Sequence, residues 1–204
     1  MVREYVISDL HFGHKNIIKF ERTEFTTIEE HDTYIAKCWN EVVKPNDKVY
    51  ILGDVGGFWR TDLQYMIDLI KSLNGYKILI FGNHDTWPRK KFKEFGFQEA
   101  MKGPILIRNG KVILSHEPAR EAFNNPYAIN IHGHLHNRNL LLDNYYCVSA
   151  KYIDYKINRK TMNISYKWLK EYVDFDLSAE EVCRALTSTG LEVGALEEVQ
   201  TAKG

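Results

Sequence analysis

The stretch INIHGHLHN, residues 129–137, carries histidine at every second position: His132, His134 and His136. The chain contains only eight histidines, so three of them in one short run need an explanation. Side chains two positions apart lie on the same face of a β-strand, and a strand here would place all three imidazoles on one side. Such a group is costly in an apolar core but well suited to binding a metal ion.

The composition excludes several classes of protein. The 27 basic and 27 acidic residues balance, so the global charge indicates neither a nucleic-acid partner nor a membrane surface. Cys38, Cys147 and Cys183 show neither the spacing of a zinc site nor a disulfide framework, as is usual in a reducing compartment. No stretch is long and apolar enough to span a membrane, and MVREYVISDLHFGHK lacks the apolar run of a signal peptide. We therefore expect a cytoplasmic protein.

Upstream of the histidines, short apolar runs that end in polar groups are typical of buried strands. Two helical patterns separate these runs, at residues 27–43, where Thr27 and Glu30 form a capping box and His31 lies on the apolar stripe, and at residues 61–75. The alternation predicts a largely parallel sheet flanked by helices. The three strand patterns are EYVISD (4–9), KVYILGD (48–54) and YKILIFGNHD (76–85).

A second group of strands follows. Residues 104–118 predict a hairpin that turns at Asn109 and Gly110. YAINIHGH (127–134) and YYCVSAKYIDYKI (145–157) predict further strands. A second sheet packed on the first would give an α/β protein, a four-layer α/β/β/α sandwich of two mixed sheets.

The C-terminal segment differs in charge. Residues 162–204 contain four basic and eight acidic residues, whereas the preceding residues contain 23 basic and 19 acidic ones. Two short helical patterns occur there, and the second begins with a capping box at Ser178 and Glu181 and ends at Gly190. We therefore predict one domain over residues 1–160 and a small helical, acidic tail over residues 161–204.

Metal-binding side chains follow each predicted strand, where open α/β sheets place their sites. Imidazole and carboxylate without thiolate suit divalent ions such as manganese, iron, cobalt, nickel or zinc. Each motif alone has a common alternative, such as a turn, a cap or a hydrogen-bonded histidine. Their occurrence together and in order favours a metal site. The residues are Asp9 and His11 in SDLH, Asp54 in LGD, Asn83, His84 and Asp85 in GNHD, His116 in LSHEP, and His134 and His136 in GHLH.

The series SDLH, GD, GNHD, SH and GHLH resembles the five-part signature of calcineurin-like metallophosphoesterases, and the resemblance covers about residues 1–157. The flanking stretches HFGHKNIIKF, WNEVVKPNDKVYILGD and YCVSAKYIDYK are similar to small bacterial and phage-borne phosphohydrolases. The resemblance implies a phosphoesterase with two divalent ions, manganese first and iron, nickel, cobalt or zinc as alternatives. It also implies attack on phosphorus by a hydroxide that bridges the ions.

The resemblance further implies a role for each motif residue. One ion would be bound by Asp9, His11 and His136, and the other by Asn83, His116 and His134. Asp54 would bridge the two ions. His84 would contact the phosphate and assist the leaving oxygen, with Asp85 orienting its ring. His132 has no ligand role in this scheme and is expected to pack, and His14 either faces the substrate or begins a helix.

The sequence leaves other functions open. Some members of this superfamily have lost their metals and act as assembly scaffolds, but the complete ligand set favours an enzyme. A nuclease would share the chemistry and need a basic groove; RKKFK (89–93) is the run to consider, although such a run is usually a solvated helix face. We expect a small phosphorylated substrate, with nucleotides included, and leave monoester or diester open.

Residues 162–204 resemble the extreme N-terminus of a bacterial phenylalanyl-tRNA synthetase beta chain and begin with Met162. The resemblance ends before that chain's tRNA-binding-like barrel would begin, so it implies neither aminoacylation nor tRNA binding. The segment is either a natural fusion or an artefact of the gene sequence. The alternative, a C-terminal helical cap of the phosphoesterase domain, fits the change in charge less well.

Overall fold

The computed structural model describes most of the chain outside the C-terminal segment. Contacts divide the chain into two compact units, Met1–Arg159 and Lys160–Gly204. Each unit is considered by itself. The described residues are 2–57, 62–125, 127–138, 140–157 and 177–188.

Four parallel strands form the first sheet, in the order β1-β2-β3-β4. Ile7 lies opposite Ile51 and the latter opposite Leu79, so the strands end close to the same line. The predicted α/β arrangement is confirmed, but this sheet is parallel throughout its described strands where a mixed sheet was expected. The strands are β1 (Glu4–Ile7), β2 (Lys48–Ile51), β3 (Tyr76–Ile80) and β4 (Glu99–Met101).

The second sheet is mixed and has the order β5-β6-β7-β8. β5 and β6 form the predicted antiparallel hairpin, and the remaining pairs are parallel. The hairpin turn includes Arg108 as well as Asn109 and Gly110, and all three have positive φ. The strands are β5 (Ile105–Ile107), β6 (Val112–Ser115), β7 (Ile129–His132) and β8 (Tyr145–Cys147).

Two of the five described helices of the first unit begin at residues whose side chains cap them. Thr27 accepts a hydrogen bond from the backbone N–H of Glu30 at the start of the second helix, and Asp62 caps the third. The fourth helix contains the basic run, which is exposed apart from the buried Phe92. The bounds are α1 (Ile17–Phe20), α2 (Ile28–Val42), α3 (Leu63–Ser72), α4 (Arg89–Glu94) and α5 (Arg120–Phe123).

Alternation along the strands builds the layers of the sandwich. In and just after β2, Val49 and Ile51 pack toward the helices, whereas Tyr50 and Leu52 pack between the sheets. Burial on both faces is typical of parallel sheets covered by helices. On the far face of the second sheet the described packing is thinner and comes from the short α5 and adjoining loops. The predicted sandwich is therefore confirmed, with few helices on one side.

Two of the strand predictions extend too far. β7 ends at His132, and His134 and His136 lie in the following loop, both with positive φ. The prediction that all three imidazoles lie on one face of a strand is therefore wrong, because only His132 belongs to the strand. β8 ends at Cys147, and residues 150–155 form turns instead of a strand. Positive φ at His134 and His136 in the first case, and at Asp154 and Tyr155 in the second, is incompatible with the extended conformation that was predicted there.

The two sheets meet at their carboxyl ends. Ser8, which follows β1, forms a parallel bridge with Ser149, which follows β8. The N–H of Ser8 donates to the carbonyl of Val148, and the N–H of Ala150 donates to the carbonyl of Ser8. These bonds bring the chain after β8 next to Asp9, the first of the predicted metal ligands.

In the second unit, α6 (Ala179–Ser188) begins with the predicted capping box. The N–H of Glu181 donates to Oγ of Ser178, and the N–H of Ser178 donates to the Glu181 carboxylate. The first helical pattern of this unit, and the predicted end of the second pattern at Gly190, lie outside the described residues. None of the helices in the described part of the chain has the length and apolarity needed to cross a membrane, and the cytoplasmic location stays a prediction.

The division into units leads to a first test. We expect a chain that ends at Arg159 to keep the cooperative thermal unfolding of the full-length protein, because the core clusters described above consist of residues up to Ile157. Circular dichroism of the two chains measures this. A truncated chain that is insoluble, or that unfolds without a transition, would show that the first unit needs the tail.

Candidate metal centre

Loops at the carboxyl ends of the strands carry the predicted site residues. Asp9 and His11 follow β1, Asp54 follows β2, and His116 follows β6. Parallel strands end at one edge of a sheet, and the bridge between the sheets joins the two edges. Asn83, His84 and Asp85 after β3, and His134 and His136 after β7, complete the set. The structure thus brings all the predicted residues to one place.

The ligand loops turn through left-handed backbone. Five of the seven predicted ligands have φ between 51° and 67°, a region that non-glycine residues seldom adopt. Conformations of this kind cost about 1–3 kcal/mol each and occur preferentially at functional sites. Alternation or helical periodicity does not predict them. The five residues are Asp9, His11, Asp54, His134 and His136.

Asp9, His11 and His136 form a first cluster, whose ligand atoms lie within 4.8 Å of one another. The imidazoles of His11 and His136 are stacked, with ring centroids 5.1 Å apart. Oδ1 of Asp9, Nε2 of His11 and Nδ1 of His136 are buried and have no hydrogen-bond partner within the described residues. Buried polar atoms without a partner are costly, and three that face one another fit a cation.

Asp9 is held by its other carboxylate oxygen. The hydroxyl of Ser149 donates to Oδ2 at 2.7 Å, and the N–H of His134 donates to the same oxygen at 2.9 Å. These bonds fix the carboxylate so that Oδ1 remains available to a ligand. Ser149 was not predicted as a site residue, although the sequence around it contributed to the family resemblance.

A second group surrounds Nε2 of His116. The ring donates its Nδ1–H to the carbonyl of Leu52 at 2.8 Å, which leaves a lone pair on Nε2. Oδ1 of Asn83 lies 2.8 Å from this nitrogen, and Nδ1 of His134 lies 3.2 Å from it. Three atoms that can act as ligands therefore converge; these are the residues that the family resemblance assigned to a second ion.

Asp54 lies between the two groups. Its Oδ2 is 3.8 Å from Nε2 of His11 and 3.5 Å from Nε2 of His116. Its Oδ1 accepts the N–H of His84 at 2.9 Å, so the two carboxylate oxygens have different functions. Asp9 also belongs to a cluster with Asp54 and His116 within 4.8 Å. This position suits a carboxylate that bridges two ions.

His84 differs from the buried histidines. Its side chain is 46% exposed, and its Nε2 lies 3.9 Å from Oδ2 of Asp54. The ring of His14 lies 6.4 Å from that of His84 and 5.6 Å from that of His11. The carbonyl of His14 also accepts the N–H of Ile17 at the start of α1. His14 therefore fits both predicted descriptions, a residue at the open side of the site and a residue that begins a helix.

Asp85 joins two of the ligand loops. Its carboxylate accepts the backbone N–H groups of Asp54, Val55 and Gly82, at 2.8, 3.2 and 2.9 Å. Burial raises the pKa of Asp85 to about 6, while the amide of Gly82 acts in the opposite direction. These bonds indicate that Asp85 fixes the loop that holds Asp54. Its predicted role in orienting His84 stays a prediction.

Burial has the opposite effect on His11. It lowers the pKa of this imidazole well below the ordinary value, and the charge of Arg22 and neighbouring imidazoles act in the same direction. The neutral imidazole is the form that binds a metal ion.

His132, by contrast, is buried at the end of β7 and donates Nδ1–H to the carbonyl of Gly133. It packs beside Tyr145, in agreement with the packing role predicted for it.

Sequence comparisons agree with this geometry. Residues 3–193 match the family described as calcineurin-like phosphoesterases. The chain belongs to this family. Family membership indicates a hydrolase, a metal-dependent phosphoesterase, and the clusters of Asp and His side chains provide ligands for divalent metal.

Two relatives cover most of the chain. An uncharacterised protein from Methanocaldococcus jannaschii is 35% identical over 171 residues, which are 81% of this chain and 82% of that protein. The crystal structure of a protein of unknown function from Aquifex aeolicus is similar with a TM-score of 0.62 and 29% identity, over 76% of this chain and 94% of that one.

A different relative matches a short part of the chain. The phenylalanine–tRNA ligase beta subunit of Bacteroides fragilis is 72% identical over 43 residues, which are 21% of this chain and only 5% of that subunit. The segment for which the sequence analysis noted a resemblance to this subunit, residues 162–204, has the same length. The family match to residue 193 extends into this tail, so the two comparisons place the boundary differently.

Close backbone approach supplies a test of the site. A Cβ atom at Gly133 would lie 1.8 Å from Oγ of Ser8 and 2.5 Å from Oδ2 of Asp9. We expect Gly133→Ala to displace Asp9, to lower stability by about 1–3 kcal/mol, and to reduce the rise in melting temperature that Mn²⁺ produces. Thermal unfolding with and without Mn²⁺ measures both effects.

Gly57→Ala is the matched control, because a Cβ there would meet its nearest atom at 3.4 Å, an ordinary contact. We expect this variant to keep the response to Mn²⁺. If Mn²⁺ raises the melting temperature of both variants equally, displacement of Asp9 does not weaken metal binding.

Proposed function

We propose that this protein hydrolyses a phosphate ester at a dinuclear centre. One ion is bound by Asp9, His11 and His136, and a second by Asn83, His116 and His134, with Asp54 shared between them. Manganese is the first choice because the ligands are carboxylate, amide and imidazole without thiolate, and iron, nickel, cobalt and zinc fit the same set. The substrate is a small phosphorylated molecule, such as a nucleotide.

The observation that carries the proposal is the group of three buried atoms without hydrogen-bond partners among the described residues, on Asp9, His11 and His136. A folded protein seldom retains such atoms unless a ligand satisfies them. The position of Asp54, within 4 Å of histidines from both groups, supports two ions instead of one. Two ions, when bound, supply positive charge for the phosphoryl oxygens and activate water near neutral pH.

The residues of the chain then have distinct tasks. The buried carboxylates and imidazoles hold the centre in a fixed geometry, and their hydrogen bonds to Ser149 and Leu52 orient them. His84 lies at the exposed side, where a substrate would enter, and its ring can donate a proton to the leaving oxygen. His14 lies beside it and is placed to contact the same phosphate.

Metal content provides the direct test. We expect protein reconstituted with Mn²⁺ to contain two ions per chain, and we expect chelation to abolish hydrolysis of p-nitrophenyl phosphate or of its diester analogue. Activity should return with Mn²⁺, Co²⁺ or Ni²⁺. Elemental analysis and a colorimetric assay measure these quantities. A reconstituted sample without bound metal would refute the proposal.

Variants of His84 and Asp54 separate chemistry from metal binding. His84→Ala should keep both ions and lose about 10²–10⁴-fold in turnover of an alkyl phosphate, the usual range for positioned acid catalysis. The loss should be smaller for p-nitrophenyl phosphate, because its leaving group needs little protonation. Steady-state kinetics with both esters and metal analysis of the variant measure this.

Asp54→Asn is the contrasting variant. An amide bridges two cations poorly, so we expect this protein to lose at least one ion. If His84→Ala released a metal, or if neither ester were affected, the role proposed for His84 would be wrong.

A further inference from the structure

A buried arginine lies directly beneath the first ligand loop. Arg22 follows α1, and its side chain is 0% exposed. Its Nη1 donates to the carbonyl of Leu10 at 2.8 Å, and its Nη2 donates to the carbonyl of Asp9. The guanidinium therefore forms hydrogen bonds with the main chain at two consecutive residues of the SDLH motif.

His31 contacts the same guanidinium. Nη1 of Arg22 also donates to Nε2 of His31. Guanidinium has no acceptor, so Nε2 is the acceptor and the imidazole carries its proton on Nδ1. That nitrogen donates to Oδ1 of Asp32 at 2.7 Å. His31, which the sequence placed on the apolar stripe of α2, thus has polar partners on both ring nitrogens.

Asp32 closes the arrangement at the other end of the loop. Its Oδ2 accepts the N–H of Gly13 at 2.9 Å and the hydroxyl of Tyr65 at 3.1 Å. Arg22 and Asp32 therefore hold residues 9–13 from both ends, and His31 connects them. We call Arg22, His31 and Asp32 the loop support.

The loop support contacts a segment whose conformation is unfavourable by itself. Asp9 and His11 have φ of 54° and 52°. Left-handed backbone at a residue with a side chain persists only when surrounding contacts determine it. Arg22 donates to the carbonyls of Asp9 and Leu10, which lie within this segment.

Stability alone is a poor explanation of this arginine. A buried charge is expensive, and the described hydrogen bonds of Arg22 are to two carbonyls and an imidazole, not to a carboxylate. Arginine is suited to the position because its planar fork reaches several acceptors at once, which the point charge of lysine does not.

We propose that Arg22, acting through the loop support, is a positioning residue that sets the metal affinity of the site containing Asp9 and His11. The inference rests on the proposed function only in that it assumes an ion at these residues. Partners that orient metal ligands typically change metal affinity by about 10–100-fold when they are removed. The described hydrogen bonds of Arg22 go to the main chain that carries the ligands and to His31, not to the ligand side chains. Its positive charge also acts on His11 and would by itself oppose a nearby cation, so weaker metal binding without Arg22 would be due to the position of the main chain.

Lys77 offers a matched control for the test. It is also a buried cation, 4% exposed, and its Nζ donates to the carbonyl of Leu73 at 2.6 Å. It lies near the start of β3, whereas the ligands follow the ends of the strands. Arg22→Met and Lys77→Met each remove a buried cation that binds main-chain carbonyls.

The experiment titrates Mn²⁺ into metal-free full-length protein by calorimetry and follows thermal unfolding of the same samples. We expect Arg22→Met to weaken Mn²⁺ binding by about 10–100-fold, and Lys77→Met to leave it within about twofold of the wild type even where both variants are equally destabilised. Arg22→Lys, which can still donate to a carbonyl, should restore part of the affinity. Equal Mn²⁺ affinity in the wild type and Arg22→Met would overturn the inference.

If Arg22→Met does not fold, two less disruptive variants test the same inference. Asp32→Asn places an N–H₂ group against either Gly13 or His31, both donors, whereas Tyr65→Phe removes only the phenol bond to Asp32. We expect weaker Mn²⁺ binding in the first variant and not in the second, and equal affinities would overturn the inference. Failure of the wild type to bind Mn²⁺ would instead refute the proposed function itself.

Discussion

The site depends on one geometric constraint, the convergence of loops from two sheets at a common edge. Strands that run parallel end together, but their side chains alternate and do not by themselves point at one place. Left-handed backbone at Asp9, His11 and Asp54 interrupts the extended conformation immediately after β1 and β2, and at His134 and His136 it does so after β7. Five such residues, at about 1–3 kcal/mol each, cost an amount comparable to the net stability of a domain.

Specific contacts hold these residues in place. Asp9 lies at the bridge between the sheets, and its carboxylate binds Ser149 from one side and the backbone of His134 from another. Asp85 plays a similar part for Asp54 by binding the amides around it. The contacts that join the two sheets are therefore also the contacts that shape the metal centre, and neither can change independently.

The sequence predicted much of this architecture because much of it is local. Capping residues such as Thr27 and Ser178 mark helix starts, apolar runs mark buried strands, and a motif of known spacing marks the ligands. The conformation of the GHLH loop was not predictable in this way, because alternate positions of a strand and successive turns can both carry His134 and His136. Whether a site residue is held by main-chain or side-chain contacts depends on neighbours far away in sequence, such as Ser149 beside Asp9.

His31 shows another limit of prediction from the sequence. Its spacing on α2 fits an apolar stripe, and the helix does bury that stripe. The burial was predicted correctly, but the partner was not, since Arg22 arrives from a different element and no periodicity connects the two. A buried histidine followed directly by an aspartate is the signal that was available, because the aspartate can fix the tautomer of the ring.

The unpartnered atoms of Asp9, His11 and His136 link binding to folding. Without an ion, three buried polar atoms lose their interaction with water and gain none from the protein, which destabilises the folded state. An ion that binds only the folded chain removes this penalty and adds its own binding free energy, so stability should rise with metal concentration. The loops that converge on the site are the segments most affected, because they carry these three atoms in left-handed conformations that are unfavourable by themselves. A metal bound in this arrangement would be a structural part of the loops as well as the source of their chemistry.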